Sequence, residues 1–559
     1  MRKLLTLVIV AGIVFALMPP ARIELPAPPA GLTQGPRGII HIHTMRSDGT
    51  GTIDDVTRAA AAGGLQFVIV TDHGDATRAP DAPDYMNGVL YIDAVEISTR
   101  QGHVVAIGLP RSPYPLGGDA RDVVDDINRM GGFAIAAHPG SPKPELRWTD
   151  WNAAIGGLEW LNADSEWRDE KPWTIGRALV TYAFRPPQTL ALLLDHPQSV
   201  LRKWDELTRE RQLVAVAASD THARIGFRSV GEPYDTAGSL HFPSYANSFR
   251  EFSIALPDVQ LTGEAAADAR RVIAAIRAGD VYSTIDALAG PAALRFDATS
   301  GGHSASMGSV LPLERDVAIR ATVQAPPAAQ ITLLRDGVPA AMAMGQGIEF
   351  TAPAAPGVYR VEVRLPTDPG TPPVPWIVSN PIYVGRTGTP ATPRALPAPT
   401  HVTPLYDGGP ARGWTVEKNA DSNAMIDVVG TIGGSQLLLR YALSGRQSDS
   451  PYVAFVMPAT GEISSHRRLQ FSARADRPMR VALQLRGAGP ADRWRRSVFL
   501  DGTPRTIDVP FDEFLPAEPS AASQPPLDRI QSVLFVVDTV NTKVGSNGQV
   551  WVDDIRYAR

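Results

Sequence analysis

Short apolar runs and amphipathic stretches alternate along the first half of the chain. The runs G-I-I at 38–40, F-V-I-V at 67–70, F-A-I-A-A at 133–137 and V-A-V-A-A at 214–218 have the length and composition of buried strands. Between the first two lies T-I-D-D-V-T-R-A-A-A-A-G-G. Thr52 reads as an N-cap, Asp54 and Asp55 occupy the first turn, and Gly63-Gly64 stops the helix. The same beat recurs in D-A-R-D-V-V-D-D-I-N-R-M-G-G and in W-D-E-L-T-R-E-R-Q-L, each followed by another apolar run. Strand, helix, strand with right-handed crossovers predicts a parallel sheet. Its repetition over roughly 250 residues predicts a closed or nearly closed β/α barrel.

Beyond the helical stretch R-R-V-I-A-A-I-R-A-G-D the pattern changes to period two. D-V-A-I-R-A-T-V, Q-I-T-L-L-R-D-G and G-V-Y-R-V-E-V-R-L, punctuated by Gly and Pro, predict a small Ig-like sandwich over 289–386. A Pro-rich linker, 387–402, is stiff and extended by composition. From 403 to 559 the runs L-L-L-R-Y-A-L, L-Q-F-S-A-R-A, M-R-V-A-L-Q-L-R and Q-S-V-L-F-V-V-D describe a second β-sandwich. No internal repeat is present. The predicted fold is therefore multidomain: an α/β barrel over 36–288 followed by two all-β sandwiches.

Residues 1–35 form a separate segment. Arg2 and Lys3 precede an apolar run from Leu4 to Met18, and a Pro-rich tail follows. Charge and length predict a secretory signal, with a periplasmic or secreted destination. No well-formed small-x-small site follows Met18, so an uncleaved anchor to the inner membrane is the other reading. The run is short for a spanning helix of about 20 residues.

The chemistry sits at the ends of the apolar runs. His41 and His43 follow the first in G-I-I-H-I-H-T, and Asp48 lies just beyond in R-S-D-G-T. His73 closes F-V-I-V-T-D-H, Glu96 sits in Y-I-D-A-V-E-I-S, and His103 comes next in Q-G-H-V-V-A-I-G-L. His138 closes F-A-I-A-A-H-P-G, while Asp220 and His222 close V-A-V-A-A-S-D-T-H. Six of the eleven histidines fall in these motifs. A single histidine at a strand end is more often a hydrogen-bonded structural residue, but recurrence after successive strands is not explained that way. Period two puts His41 and His43 on one side, and likewise Asp220 and His222. Nine such side chains in one cleft would be too costly to bury without cations to balance them. Imidazole and carboxylate ligands, with no thiolate available, point to two or three divalent transition metal ions, Zn, Mn or Fe.

Cations that share a carboxylate lower the pKa of bound water, which supplies a nucleophile near neutral pH. Glu96 would bridge, and Asp220 would act as ligand, proton acceptor or both. Arg46, Lys143 and Arg224 lie on loops beside His43, His138 and His222, where any of them could clamp an anionic substrate. Asn162 and Arg168 lie near the same mouth with no assigned role. His196, in L-L-L-D-H-P, reads as a capping or core histidine of a helical region.

The set H-x-H-T-x-x-S-D-G, T-D-H, E-I-S, G-H, A-H-P and S-D-x-H resembles the PHP (polymerase and histidinol phosphatase) family over roughly residues 36 to 285. The resemblance implies a distorted (β/α)7 barrel with up to three metal ions, and every expected ligand position is filled. It implies one ion on His41, His43, Glu96 and Asp220, a second on Glu96, His103 and His138, and a third on Asp48, His73 and His222. The spacing of His103 from the glutamate varies across the family. Pro375 to Tyr383, P-W-I-V-S-N-P-I-Y, is similar to a segment that follows the barrel in a secreted branch that includes carbaryl hydrolase-like enzymes. Some members of that branch hydrolyse carbamate or aryl esters, whereas the wider family mostly hydrolyses phosphoesters. The ending V-W-V-D-D-I-R-Y resembles the galactose-binding-like jelly rolls of carbohydrate-binding modules. Trp414, Trp494 and Trp551 could form a sugar-stacking platform there, although core packing is the commoner use of tryptophan in a sandwich.

Composition narrows the partners. A chain of 559 residues with 44% hydrophobic content can bury several cores. Its net charge of −5 offers no global basic surface, which argues against duplex nucleic acid. The expected function is metal-dependent hydrolysis of a small-molecule phosphoester, with a carboxylic or carbamic ester as the alternative. A non-catalytic envelope protein that binds polysaccharide through its C-terminal domain is the second alternative. The absence of cysteine leaves the redox compartment unmarked.

Overall fold

A computed structural model describes residues 2–226, 239–386, 396–431, 434–446, 450–459, 463–489, 491–518 and 522–559; most of the expected linker lies outside them. The protein is multidomain and mostly β. It divides into two compact units. The first comprises Met1–Gly74, Ala79–Pro110 and Ile127–Thr392, and the second Asp75–Arg78, Arg111–Asp126 and Pro393–Arg559.

In the first unit the apolar runs become strands as read. After helix α1 (Arg2–Leu17), strand β1 (Arg37–Ile40) leads into helix α2 (Ile53–Ala62) and strand β2 (Phe67–Val70). Thr52 caps α2 in a capping box. Its hydroxyl accepts from the Asp55 amide at 3.1 Å, and the Asp55 carboxylate accepts from the Thr52 amide at 2.9 Å. Strand β3 (Val89–Asp93) continues the sheet, so β1, β2 and β3 lie parallel. Both faces are covered, which explains the continuous apolar runs.

The next stretch departs from the expected strand–helix alternation. Strands β4 (Val95–Thr99) and β5 (Gly102–Ile107) form an antiparallel hairpin with no helix between them. Gly102 takes φ 109 in the turn, and a Cβ there would lie 2.8 Å from Trp148 Cα, so only glycine fits. Helix α3 (Ala120–Arg129) leads to strand β6 (Phe133–Ala136), which is antiparallel to β5. The parallel pattern resumes with β7 (Gly157–Asn162), helices α4 (Pro172–Thr181) and α5 (Gln198–Thr208), and strand β8 (Val214–Ala218).

The two sheets are stitched at their ends. Ile42 bridges Thr221, and His73 bridges Glu96, both in parallel sense. Strands β9 (Ser253–Ala255) and β10 (Tyr282–Thr284), joined through helix α6 (Ala265–Ala278), extend the first sheet antiparallel from β1. A common core fills the interior, including Ile40, Ile69, Ile92, Val105, Ile135 and Val216.

The sheet does not stop at β10. Tyr282–Thr284 pairs with Ile377–Ser379, which carries the pairing into the strands of 310–384, and a four-stranded antiparallel sheet at 294–352 accompanies them. The P-W-I-V-S-N-P-I-Y segment is buried at this junction. The Asn380 side chain accepts from the Ala215 amide and donates to the carbonyls of Ala215 and Val281, all at 2.8 Å. It thereby fixes β8 against β10.

The second unit contains two six-stranded antiparallel sheets. Leu437, Phe455, Leu469, Phe471, Leu483, Trp494, Phe535 and Val552 are among the side chains that fill the space between them. Within this unit the segment 111–126 carries a row of acids. Asp119 pairs with Arg495 at 2.8 Å, Asp126 with Arg480 at 2.7 Å, and Asp122 accepts from the Ser497 hydroxyl at 2.6 Å.

Candidate metal centre

The nine side chains singled out in the sequence meet in one cluster. Its hub is Glu96, fully buried on β4. Glu96 Oε2 lies 3.2 Å from the Nε2 of both His41 and His43, and 3.3 Å from His73 Nδ1. Glu96 Oε1 lies 2.8 Å from His103 Nδ1 and 3.0 Å from His138 Nε2. Asp220 forms a second hub, with Oδ1 3.3 Å from His41 Nε2 and 3.2 Å from His43 Nε2. Asp48 gathers the remainder, at 3.2 Å from His222 Nε2, 3.5 Å from His43 Nδ1 and 3.9 Å from His73 Nε2.

Three groups therefore have the composition and spacing to hold a cation, their donor atoms all lying within 4.8 Å of one another. They are His41, His43, Glu96 and Asp220; His43, Asp48, His73 and His222; and His73, Glu96 and His103. His43 and His73 thus stand between groups, a sharing not legible in the sequence, while His138 approaches only through Glu96. The Nε2 atoms of His41 and His43 are buried and make no hydrogen bond, although carboxylate oxygens lie close by. Four ligands on tetrahedral bonds of about 2.0–2.1 Å stand about 3.3 Å apart. The separations of 3.2 and 3.3 Å in the first group match that edge. The donor set fits divalent ions of the Zn, Mn or Fe kind.

The backbone is bent to achieve this. His41, His73, His138 and Asp220 lie just past the ends of β1, β2, β6 and β8, whereas Glu96 and His103 lie near the starts of β4 and β5, and His41, His138 and Asp220 adopt φ values of 67°, 32° and 48°. His41 and His43 converge because of that left-handed residue rather than by the alternation of a regular strand. Each such conformation costs about 1–2 kcal/mol for a non-glycine residue and persists where surrounding structure enforces it, often at functional sites.

Outer partners orient the rings, and sequence reasoning missed the most important of them. Glu159, buried on β7, accepts from His41 Nδ1 at 2.6 Å and from the His138 amide at 2.7 Å. This leaves His41 Nε2 directed at the cluster. His138 Nδ1 is turned to the Leu146 carbonyl at 3.0 Å and His222 Nδ1 to the Asp220 carbonyl at 2.9 Å. Asp72 ties down the His43–Asp48 loop, accepting from the Thr44 amide at 2.7 Å, the Thr44 hydroxyl at 2.6 Å and the Ser47 hydroxyl at 2.6 Å. The available signal was a carboxylate inside an otherwise apolar strand, L-E-W-L, and another flanking His73. Asn162 donates to Glu159 at 2.8 Å and to Asp220 Oδ2 at 3.4 Å, so it supports the cluster directly.

The electrostatics are those of tightly compensated charges. Burial opposes a proton on His41 and His43, but the surrounding carboxylates outweigh it. His41 is held well above its ordinary value by Asp220, Glu159 and Glu96, and His43 rises to about 10 beside Asp220 and Glu96. Burial dominates at His73, which falls to about 4. The carboxyl groups of Glu96 and Asp220 are driven well below the usual range by the imidazoles, against the opposing effect of burial. Divalent cations would balance the same carboxylates while leaving the histidines neutral.

The expected substrate cations are placed differently. Arg46 bonds Asp81 at 2.6 Å and Tyr91 at 3.1 Å, and Arg224 is buried against Asp48 at 3.0 Å. Both are engaged as structural partners of acids rather than held out toward a ligand. Lys143 is half-buried, and burial together with Arg168 lowers its pKa. Arg168 pairs with Asp164 and stacks on Trp167. His196 lies in the loop before α5 rather than in a helix, with Nε2 3.3 Å from Arg364. It lines a cavity of about 370 Å³ that is bordered by His138, Glu159, Asn162, Glu166 and Asp195.

In the second unit Trp494 is part of the core and Trp414 packs against it, stacked on Phe535. Trp551 is half-buried, and Arg474 covers its ring at 3.6 Å. The three therefore do not form one exposed platform.

No family model matches the chain. An uncharacterized protein of Methanocaldococcus jannaschii is 27% identical over 116 residues, covering 18% of this chain and 67% of that one. Among solved structures, the family 11 carbohydrate-binding module of a cellulosomal cellulase of Clostridium thermocellum aligns at 18% identity. It covers 29% of this chain and 96% of that one, with a TM-score of 0.25. A carbohydrate-binding module that recognises mannan aligns at 13% identity over 29% of this chain and 98% of that one, TM-score 0.21. At such scores the architecture of the second unit rests on its strand pairings.

Proposed function

We propose that the protein is a metal-dependent hydrolase of ester bonds, with a phosphoester as the first substrate class. The convergence of His41, His43, His73, His103 and His138 on the single buried carboxylate of Glu96 carries this reading. The PHP-like motifs support it. So do the strands that are stitched through Ile42–Thr221 and His73–Glu96, as a distorted (β/α)7 barrel would require.

Bound divalent ions would supply a water of lowered pKa and an electrophile for the phosphoryl or carbonyl oxygen. The chain's own groups do the rest. Glu96 offers one oxygen to each side of the cluster and so fixes the spacing of the two sets of imidazoles. Asp220 turns Oδ1 toward His41 and His43 and has Asn162 on Oδ2, which leaves it positioned to accept the proton of an attacking water. Glu159 and the Leu146 carbonyl hold His41 and His138 in the tautomer that presents Nε2. Ser47 and Thr44, held by Asp72, keep Asp48 beside His222.

A carboxylic or carbamic ester is the second reading. It is favoured by the engagement of Arg46 and Arg224 with Asp81 and Asp48, because a phosphate would gain more from uncommitted cations than a neutral ester would. Polysaccharide binding by the C-terminal sandwich without turnover in the first unit is the reading the cluster argues against, since so many buried ligands are costly to keep without use. Arg2 and Lys3 at the start of the apolar helix α1 support action outside the cytoplasm, in the periplasm or beyond.

The test is turnover of p-nitrophenyl phosphate, bis-p-nitrophenyl phosphate and naphthyl acetate by protein loaded with Mn or Zn. We expect hydrolysis of at least one that disappears in Asp220→Ala and His41→Ala. Failure of the metal-loaded protein on all three classes would refute the assignment.

A further inference from the structure

The geometry points to a second property of the first unit: helix α4 is a docking surface for an anionic lipid bilayer. An ordinary surface helix turns its polar face to water. Helix α4 does the reverse. Its exposed positions are Pro172, Trp173, Gly176, Leu179 and Val180, spaced i, i+1, i+4, i+7 and i+8, and none is polar. Phe184 extends the face beyond the helix end. Trp173, Leu179 and Phe184 are 70%, 66% and 62% exposed. Side chains of this size grouped on one helix face make an apolar surface that water alone does not stabilise.

Two further observations select a membrane as the occupant. The face adjoins α1, whose Leu4, Leu5, Val8, Ile9, Ile13 and Phe15 are exposed. Arg177 bonds the Leu17 carbonyl at 2.7 Å and Arg185 the Pro19 carbonyl at 2.6 Å, so the end of α1 is fastened to α4 and the loop that follows it. The charge on the helix and the turn after it is basic. Between residues 171 and 194 the charged side chains are Lys171, Arg177 and Arg185, with Asp169, Glu170 and Asp195 flanking that stretch; α1 adds Lys3. An apolar face that bears tryptophan and is rimmed by basic residues matches the interfacial zone of an anionic leaflet, where tryptophan rings reside and lysine and arginine reach the phosphates. Among the described residues no helix is long and apolar enough to cross a membrane. The inference needs no assumption about catalysis.

The chain contains no cysteine, which allows clean labelling. Full-length Leu179→Cys and Phe184→Cys carry an environment-sensitive nitrobenzoxadiazole dye, with exposed Ser304→Cys as the control. Each is mixed with vesicles of phosphatidylglycerol and phosphatidylethanolamine, or of phosphatidylcholine alone, and flotation is measured in parallel. We expect a blue shift and a several-fold rise in emission at 179 and 184 on anionic vesicles, a smaller one on neutral vesicles, and none at 304. The double variant Trp173→Asp with Leu179→Asp, checked for an unchanged circular dichroism spectrum, should float at least fivefold less. Flotation with no spectral change at 179 and 184 would mean that α1 alone engages lipid and would overturn the proposal. Absence of flotation would overturn it as well, as would a blue shift without vesicles that grows with protein concentration, the mark of self-association.

Discussion

The interiors of the two units are built on opposite terms. Between the sheets of the second unit lie side chains such as Phe471, Leu483, Phe535 and Val552, whose removal from water is itself the driving force. At the strand ends of the first unit the buried groups are Glu96, Asp220, Asp48, His41, His43 and His138, with His73, His103 and His222 half-buried beside them, held by Glu159 and Asp72 and by a left-handed backbone at three positions. That arrangement costs free energy in the absence of a cation. The difference teaches where function was placed. The sandwich interior is explained by stability alone, whereas the cluster carries a donor set that could hold cations able to balance it.

The largest effect that would sharpen this contrast is on turnover. Asp220→Ala and His41→Ala should each lower the rate of ester hydrolysis by about 10³-fold or more, with the unfolding midpoint of the metal-free protein unchanged or raised. Steady-state kinetics and calorimetry of the same preparations check both halves. The converse substitution is Leu483→Ala in the sandwich. It should destabilise the second unit by about 2–5 kcal/mol while metal content and turnover per folded chain stay constant. A loss of metal with Leu483→Ala would break the comparison.

A subtler variant is Glu159→Gln. Glu159 contacts His41 and His138 without belonging to any of the three ligand groups, so metal affinity should weaken about 10–100-fold, read by competition with a chromogenic chelator. The smallest effect concerns Glu251, a buried carboxyl of the first unit outside the three ligand groups. Burial, with Glu166 nearby, pushes it up to about 8. Because its folded value lies above the unfolded value of about 4.3, its contribution to stability is fully present below pH ~4 and is lost as pH rises through 8. Glu251→Gln should therefore raise the unfolding temperature by a few degrees at pH 9 and leave it unchanged at pH 4. A melting series across that range checks the sign.

The sequence made the cluster legible because its ligands follow apolar runs, and strand ends are where a sheet delivers side chains to a common mouth. Thr52 and Gly63-Gly64 likewise announced α2 through local capping chemistry. Three things were hidden. The antiparallel β4–β5 hairpin could not be told from another strand–helix step, since it depends on Gly102 meeting Trp148 in the folded chain. Glu159 looked like one charge in an apolar strand, and its role exists only once β7 lies beside β1's end. The tryptophans of the sandwich were ambiguous because a period of two names two faces without saying which is inside. Trp494 proved to be core, while Trp551 lies beneath Arg474.

The central claim is that Glu96 and Asp220 hold cations together with the histidines, and metal stoichiometry tests it most directly. Full-length protein is stripped with chelator, reconstituted with Zn or Mn, desalted and analysed by inductively coupled plasma mass spectrometry. Wild type should retain two to three ions per chain, with Glu96→Gln and Asp220→Asn each losing at least one. Wild type that retains less than one ion per chain, or a Glu96→Gln protein that binds as many as wild type, would contradict the account.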